Sequence, residues 1–91
     1  MLKLTLATVA TLAAVCSTSA FASAKCTAHP KNEWMPAADA QAKLKAEGYA
    51  IKIFKVSGNC YEIYGTNKDG KKVEIYYDTK TLDVVKSEIE K

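Results

Sequence analysis

Three regimes of hydrophobic and polar positions follow one another along the chain. From Leu4 to Val15 apolar residues run without a period, broken only by threonine. Between Pro36 and Glu47 the pattern turns helical: Ala37, Ala40 and Leu44 recur on one side, with the stem of Gln41 at the margin. A proline in the first turn, Asp39 near the start, Lys43 and Lys45 near the end and Gly48 beyond predict a helix over about 36–47. From Tyr49 onward the period falls to two. Tyr49 to Ser57, Cys60 to Thr66 and Lys71 to Asp78 read as strands, separated by Gly58-Asn59 and by Asn67-Lys68-Asp69-Gly70. Thr79-Lys80-Thr81 turns again. Leu82 to Lys86 then reads as a short edge strand, although Leu82, Val85 and Ile89 also fit a helical spacing, and Ser87 to Lys91 reads as a polar tail.

The expected fold class is therefore α+β, one N-terminal helix packed on a three- to four-stranded antiparallel β-meander. Ile51, Ile53, Ile63, Val73 and Ile75 form the face beneath the helix. The opposite face can meet water, as antiparallel sheets allow. It carries Tyr64 and Tyr76 with Glu62, Glu74 and several lysines.

The first regime is an export signal rather than a domain element. Lys3 is the basic start, Leu4 to Val15 the apolar stretch, and Ser17 to Ala24 the small-residue exit. The apolar stretch is shorter than the roughly 20 residues that a spanning helix needs. Ala20-Phe21-Ala22 and Ala22-Ser23-Ala24 offer two cleavage points, after Ala22 or after Ala24. Cys16 follows Ala13-Ala14-Val15, which lacks the pattern of a lipid-modified cysteine, and reads as discarded with the signal. The organisation is a signal peptide at 1–24, an extended lead-in at 25–35, a domain at 36–86 and a tail at 87–91. The expected location is periplasmic or secreted, with no membrane insertion after signal cleavage.

Charge adds one exclusion. Thirteen basic residues face ten acidic ones, a net charge of +3, and no arginine occurs. The lysines are scattered among carboxylates rather than gathered on one face, so no nucleic-acid partner is expected.

Candidate chemistry is sparse. Cys26 and Cys60 are the cysteines that survive signal removal, and an even count in an exported chain favours a disulfide. Free thiols are one alternative. The other is a metal or small-ligand site using Cys26, His29 and Cys60, although structural zinc wants four ligands and no fourth is evident. His29, the one histidine, reads as a solvated loop residue beside Pro30. No nucleophile elbow, phosphate loop or calcium loop is present, so no catalytic residue, metal ligand or cofactor is assigned. Trp34, Tyr64 and Tyr76 are the candidate partner-binding residues. Trp34 has packing over the helix start as its structural alternative. Tyr64 and Tyr76 should be neighbours on the open face, serving either as a cross-strand pair or as an exposed docking patch.

The motifs together resemble the PepSY domain family, above all its short, secreted, single-domain proteobacterial members. The resemblance rests on Trp34, the alanine-rich helix ending Glu47-Gly48-Tyr49, Ile51-Lys52-Ile53, Cys60 to Gly65, Asp69 to Tyr76, and Asp78-Thr79-Lys80-Thr81. It spans about 34 to 86. Such domains commonly carry glycine after the threonine, where this chain has Leu82. The resemblance implies a non-catalytic module that binds or restrains a protein partner; modulation of a secreted or periplasmic peptidase, or of another envelope protein, is its extension to a stand-alone member. On this reading Tyr64→Ala with Tyr76→Ala keeps the fold and loses the partner.

Overall fold

A computed structural model describes residues 24–90. The expected signal peptide thus lies, all but its last residue, outside the described residues, and so does Cys16. A 3-10 turn at Lys31–Glu33 interrupts the lead-in that was expected to be extended throughout. Helix α1 spans Ala37–Ala46, and strands β1 (Ala50–Ser57), β2 (Cys60–Thr66), β3 (Lys72–Asp78) and β4 (Val84–Ile89) follow. The strands form one antiparallel sheet in the order β1-β2-β3-β4. The fold is α+β, as the sequence pattern predicts.

Helix α1 is bounded by its flanks. Pro36 is the cap residue before it, with φ −55° and ψ 140°, and its carbonyl accepts from the Ala40 N–H at 2.9 Å. At the far end Gly48 takes φ +107°, a conformation that side chains resist. The Gly48 N–H then reaches the Lys45 carbonyl at 3.0 Å and the Tyr49 N–H the Leu44 carbonyl at 3.2 Å. These are the paired closing bonds of a Schellman motif. Tyr49 is thereby turned onto the core. Ala40 and Leu44 are buried, Gln41 is half-buried, and Ala37 stays exposed in the first turn instead of joining the stripe.

Under the helix lie Tyr61 and Ile63 of β2 and Val73, Ile75 and Tyr77 of β3, all buried. Ile51 joins them, but Ile53 does not. Strand β1 carries a register shift between Ile51 and Ile53, so Ile51 opposes Gly65 while Ile53 opposes Tyr64. The extra residue is Lys52. Such a bulge reverses the alternation beyond it. It moves Ile53 to the open face at 46% exposure and turns Phe54 onto the core in its place. Gly65 accommodates this path, since a Cβ there would come within 2.0 Å of the Ala50 carbonyl oxygen.

The last connection also differs from expectation. Asp78 Oδ1 accepts from the N–H groups of Lys80 at 2.8 Å and Thr81 at 3.0 Å, and the Leu82 N–H bonds the Asp78 carbonyl at 2.9 Å. Leu82 buries its side chain at φ +63°. Strand β4 begins after this turn and continues to Ile89, taking in Ser87, Glu88 and Ile89 of the expected tail. Pairing with Val73 through Tyr77 decides strand over helix there. The local spacing of Leu82, Val85 and Ile89 loses because Leu82 belongs to the turn, not to the element.

Candidate interaction face

Two groups of polar side chains stand out, one at the lead-in and one on the open face. The lead-in is fastened at several points. Cys26 and Cys60 form a disulfide with Cα atoms 5.4 Å apart. The bond consumes the two thiolates that the metal alternative required. His29 Nε2 lies 3.0 Å from Asp78 Oδ2, so the histidine is a partner of the turn rather than a solvated loop residue. Burial works to raise the Asp78 carboxyl, but the Thr81 N–H, the His29 ring and the Lys80 N–H together hold it below the usual aspartate value. Trp34 donates its indole N–H to the His29 carbonyl at 2.8 Å and stands edge-on to Tyr61, ring centres 5.5 Å apart. The Tyr61 hydroxyl in turn donates to the Met35 carbonyl. Half-buried in this way, Trp34 packs against the core beside Tyr61.

The open face is built from a repeated tripeptide. Glu62-Ile63-Tyr64 and Glu74-Ile75-Tyr76 pair antiparallel about the Ile63–Ile75 position, which sets Glu62 opposite Tyr76 and Tyr64 opposite Glu74. The isoleucines go to the core and the four polar side chains to the other side. Sequence symmetry is not matched by symmetric bonding. Both tyrosine hydroxyls donate to Glu74 Oε2, each at 3.0 Å. Glu62 is left 2% exposed, with Oε1 3.8 Å from Lys55 Nζ and Oε2 buried without a hydrogen-bonding donor. A proton shared with the Glu74 carboxylate would supply a partner there, because a carboxylic acid can donate to a carboxylate. Burial, followed by that bond to Glu74, raises the Glu62 carboxyl above its ordinary value. The same bond, with those from Tyr64 and Tyr76, lowers Glu74 against the effect of its own burial. Tyr64 and Tyr76 are both raised, Tyr64 first by its bond to Glu74 and Tyr76 first by burial.

The two tyrosines are therefore neighbours, as expected, but they do not form an exposed aromatic pair. Tyr76 is 5% exposed and Tyr64 half-buried, with Lys55 Nζ 5.5 Å above the Tyr64 ring. Truncating Tyr76 opens a cavity, so the double alanine variant is not a clean test of binding. The carboxyl pair was missed at the sequence level, although the doubled Glu-Ile-Tyr was its visible signal. Of the proposed site residues, Cys26 and Cys60 are brought together, Tyr64 and Tyr76 share one acceptor, and Trp34 lies apart beside Tyr61.

Among the described residues no group of three or more His, Cys, Asp or Glu side chains is placed to hold a metal ion. No helix among them is long and apolar enough to cross a membrane. Fold and face define a small α+β module stapled by one disulfide, with a helix on one side of the sheet and a tyrosine–carboxylate network on the other. The family model described as peptidase propeptide and YPEB domain matches residues 6–88, and the chain belongs to that family, the PepSY family. Neither the curated proteins nor the solved structures contain a match.

Proposed function

We propose that the chain is an exported, non-catalytic PepSY module that binds and modulates a protein of the cell envelope, a secreted or periplasmic peptidase first among them. The match to a family described by peptidase propeptides carries this reading. The order of residues 1–24 supports export, and the Cys26–Cys60 bond suits the oxidising compartment that export reaches. Binding without chemistry suits the polar groups described above. The cysteines are spent on the staple, His29 is engaged with Asp78, and Glu74 of the open face is engaged with two tyrosines.

The test uses the full chain with a C-terminal affinity tag, expressed in its own host and crosslinked in place. One dominant envelope protein is expected in the crosslinked fraction. If it is a peptidase, its activity on a peptide substrate should fall as the purified oxidised protein is added. No crosslinked protein, together with unchanged activity of the host's exported peptidases, overturns the reading.

A further inference from the structure

The bulge in β1 has a consequence on the open face. It places Ile53, an apolar side chain, among positions that are otherwise polar, and a groove of about 530 Å³ lies beside it. Ala50, Ile53, Tyr64 and Thr66 line this groove, together with Lys52 and Lys72. No carboxylate lines it, and neither lysine has an acidic partner among the described residues. Beyond Tyr64 and Lys72 the character reverses, where a smaller concavity carries Glu74, Glu88 and Glu90. The groove is thus cationic and apolar, the carboxylates gather on its far side, and Lys72 borders both concavities. Strand β1 is also a sheet edge, with one side free of any strand partner.

An apolar trough bordered by Lys52 on the edge strand and by Lys72 on β3 selects its occupant by charge and shape. An extended chain can run along an edge strand, with alternate side chains entering the trough. Its apolar residue meets Ile53 and Tyr64, and flanking carboxylates meet Lys52 and Lys72. Opposite charges across a contact fix register and reject the wrong partner. Bulges also re-aim side chains, and here the re-aimed side chain is the one that makes the groove apolar.

We propose that this groove binds an extended acidic–apolar peptide segment of the protein partner, with Ile53 as its apolar contact and Lys52 and Lys72 as its charge contacts. The inference rests on the binding-module reading and names the surface and the partner chemistry. The probe is a fluorescein-labelled, end-capped Asp-Leu-Asp-Phe-Asp-Leu peptide, titrated by anisotropy into the oxidised protein beside its Asp→Lys analogue. The acidic peptide should bind at least about tenfold more tightly than the lysine analogue, and added salt should narrow that gap. Ile53→Glu should weaken acidic-peptide binding about tenfold or more, and Lys52→Glu with Lys72→Glu should invert the preference. All three positions are exposed, and near-ultraviolet circular dichroism of each variant verifies the fold.

Equal binding of both peptides, no binding of either, or binding that survives Ile53→Glu overturns the groove. Displacement of the probe by dodecanoate at stoichiometric amounts assigns the groove to a fatty acid instead. A dimer in sedimentation that Ile53→Glu dissolves assigns it to a second copy. Either result also overturns the peptide assignment. A crosslinked partner retained by Ile53→Glu removes the groove and leaves the binding module standing. Peptide binding without any crosslinked partner removes the proposed function and leaves the groove.

Discussion

At the scale of single residues, Leu82 shows how a local rule can be broken for packing. The turn from β3 into β4 places a left-handed residue at this point, a conformation that glycine adopts most readily. Here Leu82 adopts φ +63° and buries its side chain to 7% exposure. The left-handed conformation costs an ordinary residue roughly 1 kcal/mol or more. Burial of a leucine offsets this by about 1.5–3 kcal/mol. A sharp ordering follows. Leu82→Ala loses the burial and keeps the backbone cost, whereas Leu82→Gly loses the burial and escapes it. Both variants should be less stable than the parent, by roughly 2–4 kcal/mol for alanine, with glycine the more stable of the two by up to about 1 kcal/mol. Urea denaturation of the three proteins measures it. If Leu82→Ala proves more stable than Leu82→Gly, the positive φ is not what this position demands. Lys52 carries the same lesson. Inserted in a run of β-formers, it looks like an ordinary outward residue, and its effect on Ile53 and Phe54 is felt only once Gly65 lies opposite.

At the scale of elements, the paired strands β2 and β3 explain what was legible and what was not. Alternation placed Ile63, Val73 and Ile75 on the covered face and Glu62, Tyr64, Glu74 and Tyr76 on the open one, because burial on one side enforces a period of two. The helix bounds were legible because Pro36 is pre-set for a helix start and Gly48 tolerates the left-handed conformation that closes one. What alternation cannot report is bonding within a face. Glu62 and Glu74 stood among surface residues in the pattern, yet Glu74 is engaged with two tyrosines and Glu62 is buried. Side-chain hydrogen bonds and ion pairs across the face gather these groups together, and no sequence period records that. Glu62 is raised by burial and by its bond to Glu74. A raised carboxyl contributes stability that is present below the unfolded value, about pH 4.3, and lost as pH rises through the folded value. Glu74, which is lowered, contributes in the opposite sense, above the unfolded value and lost as pH falls. Glu62→Gln isolates the first effect, since the amide still donates to Glu74 but does not ionise. Relative to the parent, this variant should gain roughly 1–3 kcal/mol between about pH 4 and about pH 8. Urea midpoints at both pH values decide it. A difference that stays flat would mean that Glu62 is a carboxylate paired with Lys55 throughout, with no proton shared with Glu74.

At the scale of the whole molecule, one covalent bond compensates for a small core. A domain of this length buries only about 60% of the surface its unfolded chain exposes. The helix contributes just Ala40 and Leu44 as fully buried side chains. The Cys26–Cys60 bond spans 34 positions. Closing such a loop should stabilise the fold by about 3–4 kcal/mol in the chain-entropy account. Native domains have only about 5–15 kcal/mol to lose. The bond also holds the lead-in where its other contacts form: His29 against Asp78, Trp34 against Tyr61, and the Met35 N–H on the Thr79 carbonyl at 2.7 Å. Those contacts join the start of the domain to the turn between β3 and β4, so the staple fixes the lead-in at the Cys60–Asp78 end of the sheet. Cys26→Ser with Cys60→Ser should therefore lower the unfolding free energy by about 3–4 kcal/mol. Hydrogen exchange should quicken first at Met35 and Trp34, before the amides of β2 and β3. A loss below about 1 kcal/mol, with Met35 still protected, would mean that the noncovalent contacts already hold the lead-in and that the bond is dispensable to the fold.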